Sequence, residues 1–234
     1  TNSPFWNAFP RSPMVMDLNF SGENYFIINN HFKCCGDGIL DLNNEFDEEN
    51  RRYTAMNLLK AYIDENLSNE KVIVLGDLND DISEPYLNNV FQDVLNDSDS
   101  YQFADLFIAQ GNSLDWSFPN WPSHLDHILI TNELFDEVDS IEVNTIKIDD
   151  YINGGWAEYD QNISDHRPVA MKIYFNDELS FDLNNDGLVN TNDITMLISI
   201  IFEQNHNNQF LGDINLDSKI DIIDLILLVE HLDN

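Results

Sequence analysis

The chain has 234 residues, with 10 Lys and Arg against 43 Asp and Glu, which gives a formal net charge of −33 at pH 7. A content of 43% hydrophobic and 12% aromatic residues excludes a disordered acidic tail, and the length fits one large domain or two unequal ones. The acidic charge is spread along the sequence, which argues against non-specific adhesion to nucleic acid or anionic membranes but allows an anionic substrate bridged by a metal ion.

The sequence contains no run of about 18 apolar residues, so no transmembrane segment is predicted. Its two cysteines, Cys34 and Cys35, are adjacent, which rules out a disulfide framework and a cysteine-rich zinc site. Neighbouring α-carbons lie about 3.8 Å apart, below the usual range for a disulfide. Two reduced thiols or a strained vicinal disulfide both remain open, and the redox compartment is undecided.

Six runs rich in β-branched and aromatic residues predict strands, with turn residues between them. They cover residues 14–20, 25–32, 71–79, 127–131, 140–148 and 168–175. Residues 48–67 place Met56, Leu59 and Ile63 at the three- and four-residue spacing of an amphipathic helix packed on a sheet. A weaker helix is predicted over residues 85–95, because Pro85 suits a first turn. This alternation indicates an α/β fold.

The composition changes after Phe175, where a polar, acidic segment predicts a boundary between domains of residues 1–175 and 176–234. Two similar stretches follow, 182–193 and 213–224, at an offset of 31 residues, and an apolar helical run comes after each. This internal repeat predicts two copies of one small structural unit.

Both stretches have the ligand spacing of a 12-residue calcium loop, which supplies oxygens from positions 1, 3, 5, 7, 9 and 12. The first stretch provides Asp182, Asn184, Asp186, the Leu188 carbonyl, Asn190 and Asp193. The second provides Asp213, Asn215, Asp217, the Lys219 carbonyl, Asp221 and Asp224. Gly187 stands at the turn of the first loop, but Ser218 replaces that glycine in the second, which is expected to weaken the second site.

The Asp at position 12, the apolar residue at position 8 (Val189 and Ile220) and the single helix after each loop resemble a type I dockerin. The resemblance covers residues 180–234. It implies a small all-α module with two EF-hand-like loops, two bound Ca²⁺, and a cohesin-type partner on a scaffold or cell surface. The alternative is a calcium-stapled module without a partner.

In dockerins, partner choice depends on loop positions 10 and 11. These are Thr191 and Asn192 in the first repeat and Ile222 and Ile223 in the second. Because the two pairs differ, two equivalent binding modes are not expected. Loops of this kind need calcium at extracellular levels, so we expect a secreted or cell-surface protein.

Four motifs in the larger domain carry groups suited to phosphate chemistry, each at or just after a predicted strand end, where an α/β scaffold exposes functional groups. They are NNHFK with His31, GDLND with Asp77 and Asn79, HLDHI with Asp126, and SDHRP with Asp165 and His166. Together they resemble the C-terminal half of the endonuclease/exonuclease/phosphatase superfamily over residues 9–175. The resemblance implies a four-layer α/β sandwich.

The resemblance also implies roles for these residues. Asp165 binds Mg²⁺ or Mn²⁺, and His166 faces the phosphate while Asp126 orients it. Asp77 positions or deprotonates the attacking water. Asn79 donates to a phosphoryl oxygen, His31 serves as a second acid/base or stabiliser, and Arg11 lies near the substrate path.

In this superfamily the first half of the domain supplies an Asn and a metal-binding Glu from strands that precede the matched motifs. We therefore expect the chain to be a fragment of a longer protein, without the N-terminal part of the domain and with incomplete metal ligation.

Three functions remain open at this stage. The leading one is a metal-dependent phosphodiesterase acting on nucleic acid, and the second is a phospholipid or inositol-phosphate hydrolase of the same superfamily. The third is a catalytically inactive binding module anchored through the dockerin.

The run with Trp116, Phe118, Trp121 and His124 is interpreted as a packed loop, although an aromatic wall beside the metal site is the alternative.

Overall fold

The structure is a computed structural model of the chain, and it describes residues 5–20, 23–173, 181–184, 186–203, 212–215 and 219–232. The chain divides into two compact units, Thr1–Tyr174 and Phe175–Asn234. The domain boundary predicted after Phe175 lies outside the described residues.

A five-stranded mixed sheet forms the centre of the larger unit. Its strands are β1 (Met14–Phe20), β2 (Glu23–His31), β3 (Lys71–Asp77), β4 (Tyr101–Phe103) and β5 (Asp126–Thr131), in the order β1-β2-β3-β5-β4. Only β2 and β3 are parallel, and the other pairs are antiparallel. Two further strands, β6 (Ile141–Thr145) and β7 (Val169–Ile173), pair antiparallel in a second sheet. The predicted α/β class is thus confirmed.

The parallel pair β2 and β3 requires a crossover, which contains the helix α2 (Glu48–Asn66). The carboxylate of Asp47 caps this helix by accepting a hydrogen bond from the Asn50 amide. As predicted, Met56, Leu59 and Ile63 are buried, and they belong to the same apolar core as residues of β2 and β3. Each such side chain contributes about 1.5 to 3 kcal/mol through burial, so this helix–sheet contact is a main source of stability.

The remaining helices of the larger unit are short. They are α1 (Phe5–Ala8), α3 (Gln92–Leu95), α4 (Leu106–Ala109) and α5 (Gly155–Asn162), together with 3₁₀ helices at Ser113–Asp115, Asn132–Ser140 and Ile148–Tyr151. The helix predicted over residues 85–95 was wrong except for α3. Asn89 explains the difference, because its amide donates to the Ile82 carbonyl while its side-chain oxygen accepts from the Phe91 amide. Such side-chain bonds to the backbone compete with a regular helix.

Strand β1 is the outermost described strand on its side of the sheet, and all seven of its residues are exposed. Its apolar side chains include Met14 at 62% and Met16 at 46% exposure. The apolar residues of β2 and β3, in contrast, are largely covered.

The described part of the smaller unit contains two helices, α6 (Thr191–Glu203) and α7 (Ile222–Leu232). Leu197 and Leu228 from these helices pack with Leu183 and Ile214 in a small apolar core of their own. This one core therefore combines, from each repeat, one residue of the predicted calcium loop and one residue of the following helix.

Among the helices of the described residues, none has the length and apolarity that crossing a membrane requires.

Candidate active site

Strand register places three of the predicted site residues side by side. His31 ends β2 opposite Asp77 at the end of β3, and Asp77 is in turn opposite Asp126 at the start of β5. Directly opposed residues share one face of a sheet. The sheet therefore presents an imidazole and two carboxylates in one row at its edge.

The backbone around Asp77 needs a specific conformation. Gly76 has a φ of 126°, and a β-carbon there would lie 2.0 Å from the Asn30 carbonyl oxygen of the neighbouring strand. Asn79 adopts a left-handed φ of 57°, which Asn tolerates better than most residues, and its amide donates to Asp77 Oδ1 at 3.0 Å. The GDLN sequence thus fixes the Asp77 carboxylate at the strand end.

His166 reaches the row from the segment between α5 and β7. Its Nδ1 lies 2.6 Å from Asp126 Oδ2, its backbone amide donates to the Ser164 hydroxyl, and its carbonyl accepts from the Tyr159 hydroxyl. The Phe118 ring packs against the imidazole with centroids 4.8 Å apart. These contacts hold the ring with Nε2 directed toward Asp77, whose Oδ2 lies 4.0 Å away.

The four groups form one electrostatic cluster. His31 Nε2 is 3.4 Å from Asp77 Oδ2, so Asp77 lies between two imidazoles. Burial, and then the charge of Asp126, raise the pKa of Asp77 against the opposing effect of the two histidines. Burial alone disfavours charge on His166, but the hydrogen bond and charge of Asp126, helped by Asp77 and Asp165, raise its pKa.

The donor set suits a hard divalent cation. One ligand atom each from Asp77, Asp126 and His166 lies within 4.8 Å of the others, and carboxylate oxygens are the donors that Mg²⁺ prefers. Asp165, predicted as the metal ligand, is exposed and is not part of this group, although its charge acts on His166. The carboxylates that meet at the possible ion site are thus those of Asp77 and Asp126, which the sequence predicted in other roles.

The two predicted substrate-binding residues, Asn79 and Arg11, lie outside the row of His31, Asp77 and Asp126. The Asn79 side-chain amide donates to the Phe32 carbonyl at 3.4 Å, next to the row. Arg11 is exposed in the segment before β1, and within the described residues it makes no hydrogen bond or ion pair with the row.

Sequence reasoning missed a buried polar network behind the row. Asp105 and His127 are fully buried, with His127 Nδ1 2.6 Å from Asp105 Oδ2 and His127 Nε2 2.8 Å from the Asp80 carbonyl. His124 lies 3.0 Å from the same Asp105 oxygen. Because side chains alternate along a strand, His127 points into the core while its neighbour Asp126 faces the row. The burial of His127 could have been predicted from this alternation of neighbouring side chains along the strand.

The aromatic residues of segment 116–124 differ in how far they are buried. Trp116 is partly buried and donates its indole N–H to the Ile108 carbonyl, Phe118 packs on His166, and His124 is in the core. Trp121 is 78% exposed. Most of the segment is therefore packed, as predicted, while Phe118 also forms a wall of the site.

Both cysteines are free and exposed thiols, with their sulfur atoms 2.9 Å apart.

In the smaller unit, the last aspartate of each predicted calcium loop is buried. Asp193 Oδ1 accepts from the amides of Leu183 and Asn184, and Asp193 Oδ2 accepts from Asn190. Asp224 repeats the same pattern with Ile214, Asn215 and Asp221. The sequence repeat is thus a structural repeat, in which position 12 closes the loop onto positions 2, 3 and 9.

The other predicted loop residues are placed as follows. Asp182 accepts hydrogen bonds from the backbone amides of Asp186 and Gly187. The Asp186 amide also donates to the Asn184 side chain, and the Leu188 amide donates to the Asp186 side chain. Asp213 and Lys219 are described, whereas the predicted ligand Asp217 lies outside the described residues. Oxygen donors of this kind fit Ca²⁺.

Comparison with protein families gives two matches. The profile of the Endonuclease/Exonuclease/phosphatase family matches residues 14–166, and the profile of the Dockerin type I domain matches residues 180–233. A search of curated proteins found no significant match.

Solved structures of low sequence identity resemble the chain. The human Nocturnin catalytic domain is 15% identical, with a TM-score of 0.42 over 69% of this chain and 52% of its own. The Xenopus laevis APE2 catalytic domain is 19% identical, with a TM-score of 0.42 over 64% and 50%. An endonuclease/exonuclease/phosphatase from Bacteroides vulgatus is 14% identical, with a TM-score of 0.39 over 66% and 51%. The chain spans about half the length of each of these structures.

Proposed function

The chain belongs to the endonuclease/exonuclease/phosphatase family, whose members hydrolyse phosphodiester bonds, and on this premise we propose that it cleaves phosphodiesters, with nucleic acid as the substrate. The observation that carries the proposal is the convergence of Asp77, Asp126 and His166, whose ligand atoms lie within 4.8 Å of one another. A nucleophile-activating carboxylate, an oriented imidazole and a cation site are the groups that this hydrolysis needs.

Asp77 and Asp126, with Asp165 nearby, would hold Mg²⁺ or Mn²⁺. When bound, such an ion neutralises charge on the phosphoryl oxygens. Asp77 would position or deprotonate the attacking water.

His166 is held by Asp126 so that Nδ1–H is fixed and Nε2 faces the reacting phosphate. Its raised pKa favours the protonated ring, which can give its proton to the leaving oxygen. Asn79 would donate to a phosphoryl oxygen, and His31, which is the most exposed member of the row, would act as the second acid/base or stabiliser. Arg11 would guide the substrate from the segment before β1.

The experiment compares hydrolysis of plasmid DNA, RNA, sphingomyelin and inositol phosphates by the full-length protein with Mg²⁺. Asp126→Asn should lower turnover by about 10² to 10⁴-fold, because the imidazole loses its orienting carboxylate. The exposed Asp150→Asn variant is the matched control and should keep the wild-type rate.

Turnover of DNA or RNA that is lost in Asp126→Asn and kept in Asp150→Asn supports the nuclease. Selective turnover of sphingomyelin or inositol phosphates would move the substrate to the lipid or inositol-phosphate branch. A folded protein without turnover of any substrate would overturn the catalytic proposal and favour the binding-module alternative.

The smaller unit supports a second part of the proposal, namely attachment to a cohesin-type partner through residues 180–234. Dockerin loops bind calcium, and we assign one Ca²⁺ to each of the loops 182–193 and 213–224. Thr191 and Asn192 are exposed in the first repeat, and Ile222 (60%) and Ile223 (48%) are exposed in the second. Exposed isoleucines at the predicted partner-contact positions suit a protein interface. On this basis we propose that the enzyme acts outside the cell or on its surface.

A further inference from the structure

Three groups of acidic and histidine side chains in the described residues have ligand atoms close enough for a metal ion. The first belongs to the catalytic row. The second, Asp105 with His124 and His127, has its hydrogen-bonding atoms occupied: Asp105 Oδ1 accepts from Ile128, Asp105 Oδ2 contacts both rings, and the outer ring nitrogens contact Ser117 and Asp80. All four ring nitrogens of His124 and His127 are thus engaged, so neither imidazole has a nitrogen left to bind an ion.

The third group, Asp37, Asp47 and Glu49, is different. One carboxylate oxygen of each residue lies within 4.8 Å of the other two. Asp37 belongs to the segment between β2 and α2, Asp47 caps α2, and Glu49 lies in its first turn. The three carboxylates thus meet where this segment joins the helix.

Glu49 carries a buried oxygen for which the described residues provide no hydrogen-bond partner. The residue is only 2% exposed, and its Oε1 takes both available donors, the Gly38 amide at 2.8 Å and Arg52 Nη2 at 3.2 Å. Its Oε2 has no partner within the described part of the chain. A buried carboxylate oxygen without a partner is costly, so such an atom calls for an explanation.

The Glu49 carboxylate points into the segment that carries Asp37. A β-carbon added at Gly36 would lie 2.1 Å from Glu49 Oε1 and 2.6 Å from Oε2, so only glycine leaves room for the carboxylate there. Gly36 and Gly38, on either side of Asp37, both adopt positive φ values. The Glu49 carboxylate therefore lies against the segment that carries Asp37, and one of its oxygens is within 4.8 Å of a carboxylate oxygen of Asp37 and of Asp47.

Asp37 and Asp47 each use one oxygen to hold the backbone. Asp37 Oδ1 accepts from the Ile39 amide, and Asp47 Oδ1 accepts from Asn50 and Asp41. Their Oδ2 atoms have no partner among the described residues. Each of the three carboxylates thus keeps one oxygen available.

The neighbourhood carries an excess of negative charge. Arg52 is shared between Glu49 and Asp80, and Lys33 pairs with Glu48, so within the described residues no Lys or Arg pairs with Asp37 or Asp47. Burial and surrounding carboxylates, with Glu49 among them, raise the pKa of Glu84 to about 7. A cation would offset this excess.

We propose that Asp37, Asp47 and Glu49 bind one Ca²⁺ ion that fastens the segment between β2 and α2 to the start of α2. Carboxylates alone, without sulfur or imidazole, select a hard cation, and three acids on an irregular segment suit the flexible coordination of Ca²⁺ better than the strict octahedron of Mg²⁺. The segment starts beside His31, so the ion would stiffen one wall of the site.

The test measures Ca²⁺ bound per chain by equilibrium dialysis, with Mg²⁺ in large excess to occupy the catalytic row. The full chain carries Asp193→Asn and Asp224→Asn, which weaken the predicted dockerin loops. In this background Asp37→Asn should lose about one equivalent of Ca²⁺. Asp41→Asn, an exposed acid of the same segment outside the group, should lose none.

A second readout is the Ca²⁺-dependent rise in the thermal midpoint of the larger unit, which Asp37→Asn should abolish and Asp41→Asn should keep. Glu49→Gln would also break the buried ion pair with Arg52 and disturb folding, whereas Asp37 is exposed and its isosteric change should not. Equal Ca²⁺ binding and equal midpoints in Asp37→Asn and Asp41→Asn would overturn the proposal. Because both variants share one background, this comparison does not depend on the dockerin loops.

Discussion

Both ring nitrogens of His127 face hydrogen-bond acceptors. Nδ1 meets the Asp105 carboxylate at 2.6 Å and Nε2 meets the Asp80 carbonyl at 2.8 Å, so each nitrogen must carry a hydrogen to satisfy its partner. The fully protonated ring satisfies both contacts, and it forms a buried ion pair with Asp105. Burial opposes charge on both groups, but their mutual attraction and hydrogen bonds raise the pKa of His127 and lower that of Asp105.

Stability of the larger unit should therefore depend on pH. A raised folded pKa of His127 gives stabilisation that is complete below the unfolded value of about 6.5 and is lost as pH rises through the folded pKa. A lowered pKa of Asp105 gives stabilisation that is present above about 3.9 and is lost as pH falls through the folded value. Urea unfolding of wild type should show a free energy that falls as pH rises from about 6.5.

His127→Gln should reduce this slope, to which the raised pKa of His166 also contributes, and should cost about 3 to 5 kcal/mol because it leaves a buried carboxylate without its cation. His231→Gln, an exposed histidine of the smaller unit, should leave the slope unchanged. The same pH slope in His127→Gln and wild type would contradict the ion pair.

Sequence predicted His31, Asp77 and Asp126 because each belongs to a short polar motif at a strand end, and these ends meet in one sheet. It also predicted His166 from its motif, although His166 precedes β7 of the second sheet. It could not predict that Glu49 and Arg52, on the α2 helix, are buried at 2% and 3% exposure. From an amphipathic helix pattern one predicts that charged residues face solvent. The burial of Arg52 becomes apparent only from its ion pair with Asp80, which lies far away in the sequence.

At the scale of elements, the register between β2 and β3 aligns the row. Gly76 lies opposite Asn30, one position before the pair formed by His31 and Asp77. Its positive φ and the close Asn30 carbonyl both require glycine. The alignment of the two site residues thus depends on a position that has no side chain.

Gly76→Ala should destabilise the larger unit by more than about 1 kcal/mol and reduce hydrolysis, because the strands must separate to admit the methyl group. Gly38→Ala is a matched control with a φ of 78° and no atom within 4 Å of the added β-carbon, so it should show backbone strain alone. Thermal unfolding and activity of the two variants separate the effects. Equal losses would show that strain, and not the strand contact, sets the requirement at Gly76.

The elements that sequence predicted well are those with a long periodic signal. The helix predicted over residues 48–67 is observed as Glu48–Asn66, and the first strand is observed over the predicted Met14–Phe20. The three-residue strand β4 was missed, because three residues are too few to show an alternation.

At the scale of the whole molecule, the two units differ in their main source of stability. The larger has an extensive apolar core, whereas only four buried apolar residues form the core cluster described in the smaller. Small domains of this kind commonly depend on bound metal. Asp193 and Asp224, which close the two loops, would connect the proposed calcium binding to that core.

Chelation of calcium should therefore lower the thermal midpoint of the smaller unit and abolish binding to a cohesin-type partner. Ca²⁺ at 100 times its dissociation constant stabilises a one-site folded state by about 2.7 kcal/mol. The double variant Asp193→Asn, Asp224→Asn should lose this stabilisation, while Glu230→Gln, an exposed acid on α7, should keep it. Calorimetry with and without chelator measures the difference, and a midpoint insensitive to chelator would contradict calcium binding at these loops.

The exposed outer strand β1 has a consequence for how copies of the chain behave in solution. Edge strands offer backbone groups that can pair with another chain, and here exposed Met14 and Met16 add apolar contact. A net charge of −33 opposes the approach of two copies. The range of that repulsion is about 10 Å at 0.1 M salt but about 3 Å at 1 M, which is shorter than the spacing of roughly 4.8 Å between paired strands. The colloidal stability of the isolated chain is thus set by the ionic strength of its medium.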